Sequence, residues 1–582
     1  MRNSCRCVPG RFVRFLALIA VLLLSGAAFG QDQAGNGQQR LQHAQEAVAH
    51  DGMVVAQEPQ AARIGVAILK QGGNAIDAAV AVGFALAATY PRAGNIGGGG
   101  FMVIHRANGQ DVAIDYRETA PRAITDKSFL DARGNADPQK SRNSALAIGV
   151  PGTVAGLALA EEKFGSGRFT LADLMAPAIA LARDGFTVTL HTLSPAPSDP
   201  SRLKRWPSSA KLFFNPDGSI LQPGERLVQP DLAKSLEAIA KGGPRAFYQG
   251  PIAAKIAAAI RTAGGVMTVD DLKNYRAIER RPVRGTYRGY DIVSMPPPSS
   301  GGIELIEMLN ILEGYDLTHA DQTQELFLLI EAMKRAYADR ALYLGDPDQV
   351  ENPVARLISK DYAATWRATI DSTRATPANA IGAGGVVQPE GRNTTHFSVV
   401  DRFGNAVSNT YTLNFIYGLG MVAEGTGILL NNELDDFAAK PDSPNAFGLT
   451  GFKANAPGPG KRPLSSMTPT IVLKDGKPFL VTGSPGGSHI TTAVLQVIVN
   501  VIDRGMNIAD AVSAPRVHDQ WLPDRVSVEP GLPDDVLHAL QARGDKIRPQ
   551  RPFTSANSIT VEPGEFTGAA DPREGGALAV GY

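Results

Sequence analysis

The feature that most constrains this chain is an abrupt change of texture just before residue 394. Residues 371–390 are rich in Ala, Gly, Thr and Pro with hardly any periodicity, which reads as an exposed loop or linker. Directly after it the sequence turns β-rich. Residues 394–400 and 406–413 are strand-like runs joined by Asp401-Arg402-Phe403-Gly404-Asn405, a hairpin signal. A second hairpin is expected over 470–473 and 478–482, around Lys474-Asp475-Gly476-Lys477. A long apolar helix follows over about 490–503, then a strand at 526–528, a helix at 534–542 and a strand near 558–561. Hairpins with helices to cover their outer faces fit a layered α/β sandwich.

Upstream, residues 63–71 read as a helix stopped by Gly72-Gly73. Asn74 caps a second, Ala-rich helix running to about residue 88, which should pack closely on a sheet. Asn95-Ile96-Gly97-Gly98-Gly99-Gly100-Phe101-Met102 then enters a strand. Neither GxxxxGK[ST] nor a GxGxxG between strand and helix is present, so this run marks a close backbone approach rather than a phosphate loop. From about 144 to 380 helical and short extended segments alternate, with helices clearest at 232–241, 252–263 and 324–343. Met295-Pro296-Pro297-Pro298-Ser299-Ser300-Gly301-Gly302 breaks the chain before another helix at 303–312. Residues 31 to about 55 read as a flexible start, with globular structure beginning near Gly52.

The first thirty residues carry Arg2, Arg6, Arg11 and Arg14, an apolar core over 15–24 too short to span a bilayer, and small residues before Gln31. This is the pattern of a secretory signal peptide, and it predicts a secreted or periplasmic protein with no membrane anchor after cleavage. Basic and acidic residues number 57 each, and loss of the signal leaves a net charge of −4. No basic stripe interleaved with aromatics supports nucleic-acid binding. Cys5 and Cys7 leave with the signal, so the mature chain has no thiol to use as nucleophile or disulfide.

That directs attention to Asn393-Thr394-Thr395-His396-Phe397-Ser398. A threonine hydroxyl is a weak nucleophile unless a base sits beside it. A free α-amine on the same residue is such a base, with a pKa of about 7.7–8.0. For Thr394 this requires a cut just before it. By itself a Thr-Thr pair opening a strand is ordinary β-propensity.

The chain resembles the γ-glutamyltransferases over essentially its whole mature length. The resemblance rests on Asn393 to Asp401, on Thr410-Tyr411-Thr412-Leu413-Asn414, and on Leu430-Asn431-Asn432-Glu433-Leu434-Asp435-Asp436-Phe437. Lys461-Arg462-Pro463-Leu464-Ser465-Ser466-Met467-Thr468-Pro469-Thr470, Gly483-Ser484-Pro485-Gly486-Gly487 and Asp115-Tyr116-Arg117-Glu118-Thr119-Ala120-Pro121 extend it. It implies an αββα sandwich of the N-terminal nucleophile hydrolase type and a precursor that cuts itself between Asn393 and Thr394. The products would be a large subunit, 31–393, and a small catalytic subunit, 394–582, held as a heterodimer. Thr394 would then take a γ-glutamyl group from glutathione or a related amide and pass it to water, an amino acid or a peptide.

The chemistry of such a substrate assigns the rest. Its α-carboxylate suits Arg117 with the hydroxyls of Ser465 and Ser466, and its α-ammonium suits Glu433, Asp436 and the Asn414 oxygen. Gly486 and Gly487 offer backbone N–H groups to the oxyanion, and Thr412 matches the family threonine that orients the nucleophile. His396 reads as structural, and neither metal nor organic cofactor is implied. Residues 442–452 match a lid loop, with Phe447 where many bacterial members have tyrosine. Two rivals remain: a β-lactam side-chain acylase of the same fold, disfavoured by Asp436, and an uncleaved exported binding protein.

Overall fold

The computed structural model describes residues 43–193, 200–382, 393–441, 443–446, 448–552 and 554–582. The expected signal peptide and residues 383–390 of the expected linker lie outside the described residues; residues 371–382 of that linker are described and include a short helix, Ala378–Ile381. The two main sheets draw, in chain order, on β1 (Glu46–Ala49), β2 (Gly52–Ala56), β3 (Gly99–His105), β4 (Asp111–Asp115), β5 (Ile278–Arg280), β6 (Val283–Tyr287) and β7 (Tyr290–Ser294). They continue with β8 (Thr395–Asp401), β9 (Ala406–Thr412), β10 (Thr470–Lys474), β11 (Lys477–Thr482), β12 (Ser558–Glu562), β13 (Glu565–Ala569) and β14 (Leu578–Gly581). One seven-stranded sheet has the order β14-β2-β8-β9-β3-β4-β5, the other β1-β13-β12-β11-β10-β7-β6.

Side chains alternate across a strand, so each sheet has two faces to bury. Val54, Met102, Ile104, Val399 and Val407 form the outer face of the first sheet, under α1 (Pro59–Lys70) and α2 (Ala75–Thr89). Met53, Val55, Phe101, Val103, Ile471, Val481 and Ile559 fill the space between the sheets. Ile292, Val472 and Leu480 turn outward from the second sheet onto α3 (Gly301–Leu312), α4 (Gln322–Tyr343) and α5 (His489–Ile502). Three apolar layers therefore separate helix, sheet, sheet and helix, which is the αββα sandwich expected.

Local signals behave as read. Asn74 accepts from the N–H groups of Ile76 and Asp77, and Asp77 returns the bond to the Asn74 N–H at 2.9 Å, a capping box that starts α2. The start of the chain differs from expectation. Residues 46–49, read as part of a flexible arm, form β1, because β13 offers them a free sheet edge. At the other end, β14 closes the first sheet against β2.

The strand order sets residue 394 at the centre of a sheet rather than at its edge. β8, which begins immediately after Thr394, lies between β2 and β9. Segments from before and after residue 394 are thus hydrogen-bonded side by side.

Candidate active site

Thr394 stands one residue ahead of β8, where Thr395 is paired with Tyr411 of β9. Its hydroxyl donates to the carbonyl oxygen of Asn393 at 2.5 Å. The Thr412 hydroxyl donates to the same oxygen at 3.0 Å. The Thr412 oxygen is itself occupied by the Asn414 N–H at 2.8 Å, which leaves its hydrogen for Asn393. The Asn393 side-chain amide is tied to the carbonyls of Arg92 and Phe415. One peptide carbonyl is thereby fixed and polarised from two sides, with a hydroxyl nucleophile on the adjoining residue. Thr412 was expected to orient the Thr394 hydroxyl; in the continuous chain it engages the Asn393 carbonyl instead.

The glycine run braces this arrangement. Asn95 Nδ2 donates to the Thr412 carbonyl at 2.9 Å, and Asn95 Oδ1 accepts from the Gly98 N–H at 2.8 Å. A Cβ on Gly98 would stand 2.1 Å from the Thr412 carbonyl oxygen, so only glycine lets the two backbones approach.

Across the gap, Gly486 and Gly487 adopt φ of 133° and 60°, in the region that favours glycine, just ahead of α5. Neither N–H has a recorded partner among the described residues. Both are set at the positive end of a helix dipole, where a developing negative charge is stabilised.

A small cavity joins these elements. It is lined by Thr394, Thr412 and Gly487 together with Arg117, Asn414, Glu433, Asp436, Ser465 and Ser466; Gly486 adjoins it through Gly487. The short 3₁₀ helix Glu433–Asp436 brings its two terminal acids onto one side, since residues three apart eclipse in that helix. Arg117, fully buried just beyond β4, donates to both Glu433 and Asp436. Its Nε donates to the Pro463 carbonyl at 3.1 Å and a terminal nitrogen to that of Leu464 at 3.4 Å. Burial raises both carboxyls, Glu433 well above its usual value, with Arg117 opposing the shift.

Asn414 holds a left-handed φ of 75°, which asparagine tolerates, and its amide donates to the Asn432 carbonyl at 2.9 Å. Among the described residues its Oδ1 has no hydrogen-bond partner, and Glu433 Oε2 and Ser466 Oγ are also buried without one. An unmade buried hydrogen bond costs about 1–3 kcal/mol, so three such atoms on one cavity wall are polar groups held ready for a ligand.

Of the expected lid, Asp442 and Phe447 lie outside the described residues. Near them, Asn445 donates to Asp436 at 3.3 Å and the Ala446 N–H to Asp435 at 3.0 Å, while Leu449 borders the cavity. His396 is structural, as read: it is sealed between the sheets, paired with the hydroxyls of Thr410 and Ser398. Burial pushes its imidazole down to about 3.

Two residues at the site have no role that their sequence context announces. Glu118 lies 4.0 Å from Arg117, and burial pushes its carboxyl up to about 8. Arg340 of α4 reaches the cavity wall. Among the described residues no group of His, Cys, Asp and Glu could hold a metal ion, and no helix is long and apolar enough to cross a membrane.

Comparison with known proteins gives this geometry a context. The chain matches the family model described as gamma-glutamyltranspeptidase over residues 61–581. It is 50% identical to a glutathione hydrolase proenzyme from Escherichia coli (strain K12), over 98% of this chain and 99% of that protein. Among solved structures it resembles a cephalosporin acylase from Bacillus halodurans, with a TM-score of 0.81, 29% identity, and coverage of 95% and 99% of the two chains. It also resembles a γ-glutamyltranspeptidase from Helicobacter pylori, with a TM-score of 0.54 and 46% identity, over 56% of this chain and 93% of that one. With this fold and these matches, the chain belongs to the γ-glutamyltranspeptidase family of N-terminal nucleophile hydrolases.

Proposed function

We propose that this protein is an exported γ-glutamyltransferase and glutathione hydrolase that matures by cutting itself between Asn393 and Thr394. One observation carries the reading: two hydroxyls, those of Thr394 and Thr412, share the Asn393 carbonyl oxygen at the head of a cavity whose wall holds Arg117 beside the paired acids Glu433 and Asp436.

In maturation, the Thr394 oxygen adds to the Asn393 carbonyl carbon while the Thr412 hydroxyl holds the carbonyl oxygen. The peptide C–N bond breaks as its nitrogen takes up the proton that the hydroxyl gives up, leaving an ester on the Thr394 oxygen and a free α-amine on the same residue. Water cleaves the ester. The large subunit, 31–393, and the small subunit, 394–582, stay together because β8 remains paired with β2 as well as β9.

In turnover, the new amine takes the proton of the Thr394 hydroxyl as its oxygen attacks the γ-glutamyl carbonyl. The N–H groups of Gly486 and Gly487 receive the oxyanion, a contribution of about 2.7–4 kcal/mol for each donor. The protonated amine passes its proton to the departing amine, and the acyl group stays on Thr394. Water or an acceptor amine then repeats the steps in reverse. Arg117, Ser465 and Ser466 face the α-carboxylate; Asn414, Glu433 and Asp436 face the α-ammonium. No step calls for a metal or organic cofactor. A glutaryl-type acyl group lacks that ammonium and would leave the buried acids uncompensated, which favours γ-glutamyl donors over an acylase reading.

The test is Thr394→Ala. Wild-type protein should run as two fragments on a denaturing gel, the smaller beginning Thr-Thr-His-Phe, and release a chromogenic amine from a γ-glutamyl anilide. The variant should run as one chain without turnover. Sequencing the N-terminus of periplasmic or secreted material tests the signal peptide, with Gln31 the expected first residue.

A further inference from the structure

An oxyanion site is only as good as the aim of its donors, and here both donors belong to glycines, the residue with the freest backbone. A peptide unit is planar, with its C=O and N–H pointing opposite ways. Whatever holds the carbonyl therefore aims the N–H of the next residue.

The Gly486 N–H shares its peptide with the Pro485 carbonyl. Ser484 Oγ donates to that carbonyl at 2.7 Å and itself accepts from the Ser555 N–H at 3.2 Å. The Gly487 N–H shares its peptide with the Gly486 carbonyl, which accepts from the His489 N–H at 3.1 Å. That N–H in turn shares its peptide with the Ser488 carbonyl, and Tyr337 Oη of α4 donates to the Ser488 oxygen. Two hydroxyls thus reach the two oxyanion donors, one directly and one through a single intervening peptide.

Tyr337 is itself fixed. Its fully buried ring meets the His518 ring edge-on at 5.7 Å, and His518 stacks on His489 at 3.8 Å. Burial holds the phenol well above its usual pKa, so it stays a donor. Ser488 is the N-cap of α5, and an N-cap carbonyl already accepts the first helical bond. The Tyr337 bond is extra to the helix, and what it adds is direction.

We propose that Ser484 and Tyr337 are positioning residues, Ser484 aiming the Gly486 N–H and Tyr337 the Gly487 N–H at the oxyanion. This rests on the γ-glutamyl transfer reading above. Tyr337 precedes residue 394 and the glycines follow it, so the large subunit would set the aim of a donor that the small subunit carries. Maturation needs neither hydroxyl, because the Asn393 carbonyl is held by Thr412.

The experiment compares wild type with Ser484→Ala and Tyr337→Phe, which remove one hydroxyl each and keep the surrounding shape. Both variants should mature fully, as read on a denaturing gel. Each should lose about 10- to 100-fold in kcat for a γ-glutamyl anilide at nearly unchanged KM, the signature of an interaction made only in the transition state. Two inhibitors sharpen the reading. A glutamate analogue with an anionic, tetrahedral phosphonate monoester in place of the γ-carbonyl should bind more weakly by a similar factor. Norvaline, which keeps the α-amino acid head and has no γ-oxygen, should bind as it does to wild type. An unchanged kcat in either variant would overturn the role given to that residue. So would equal weakening of both inhibitors, or a failure to mature, since each marks a general loss of structure. Wild type that neither cleaves the anilide nor binds the phosphonate would instead refute the γ-glutamyl reading itself.

Discussion

Two buried arginine–carboxylate clusters sit in this molecule, and they are built to opposite ends. One joins Arg516 and Arg573 to Glu529 and Asp571. Arg516 donates to Asp571 at 2.6 Å and Thr554 at 2.6 Å, and Arg573 donates to Glu529 at 2.7 Å and Asp571 at 3.0 Å. Arg573 also caps the carbonyls of Val512 and Ala514. Two cations meet two anions, and of their side-chain atoms only Arg516 Nε lacks a partner among the described residues. The other cluster sets Arg117 against Glu433 and Asp436 on a cavity wall, with Glu118 4.0 Å behind it, and among the described residues Glu433 Oε2 and both Glu118 oxygens accept no hydrogen bond. Both bury charge at similar depth. What separates a fastening from a binding site here is incompleteness: the first cluster satisfies itself, and the second needs a ligand.

Removing an arginine should expose that difference most strongly. Arg573→Met takes from buried Glu529 the arginine that pairs with it and from Asp571 one of its two arginines, a loss of about 3–5 kcal/mol of the kind seen when a buried pair is broken. Little soluble, cleaved protein should accumulate, as read by a denaturing gel of the soluble fraction. Arg117→Met should leave a folded chain, because burial already lifts Glu433 and Asp436 toward their neutral forms. Its cost should fall on catalysis, about 1,000-fold in kcat/KM for a γ-glutamyl anilide. If Arg117→Met abolishes folding while Arg573→Met spares it, the contrast is wrong.

The same contrast marks what could be read from the sequence. Thr394, the glycine run and the hairpin strands announce themselves locally, through a texture break, a run with no nucleotide pattern and turn residues between β-rich segments. The Asn74 cap is equally local. β1 and β14 carry no such mark: each is a short run that becomes a strand because a sheet edge from the far end of the chain is waiting. Arg340 was illegible for another reason. α4 is buried on every side from Glu325 to Ala341, so no apolar stripe distinguishes its inward residues, and Lys334, Arg335 and Arg340 look alike until tertiary partners are known. The Thr412 bond to Asn393 depends on the peptide being uncut, which composition and spacing do not encode.

The smallest effect, and the finest test of the contrast, is in pH. At Asp571, burial raises the carboxyl, but Arg516, Arg573 and backbone N–H groups outweigh it and hold the group below its usual value. Such a group contributes stability above its unfolded pKa and loses it as pH falls through the folded one. Glu118 has the reverse sign: burial outweighs Arg117 and places its carboxyl at about 8, up from 4.5. The folded state then binds the proton more tightly than the unfolded chain. Its stabilising share is complete below pH 4.5 and is lost as pH rises toward 8. Glu118→Gln, made in the uncleavable Thr394→Ala background so that one chain unfolds, removes that titration while keeping the shape. Its melting temperature should match the parent at pH 4.5 and exceed it by roughly one to a few degrees at pH 8. A difference independent of pH across that window would mean that Glu118 is ionised in the fold, and that the open cluster is as well compensated as the closed one.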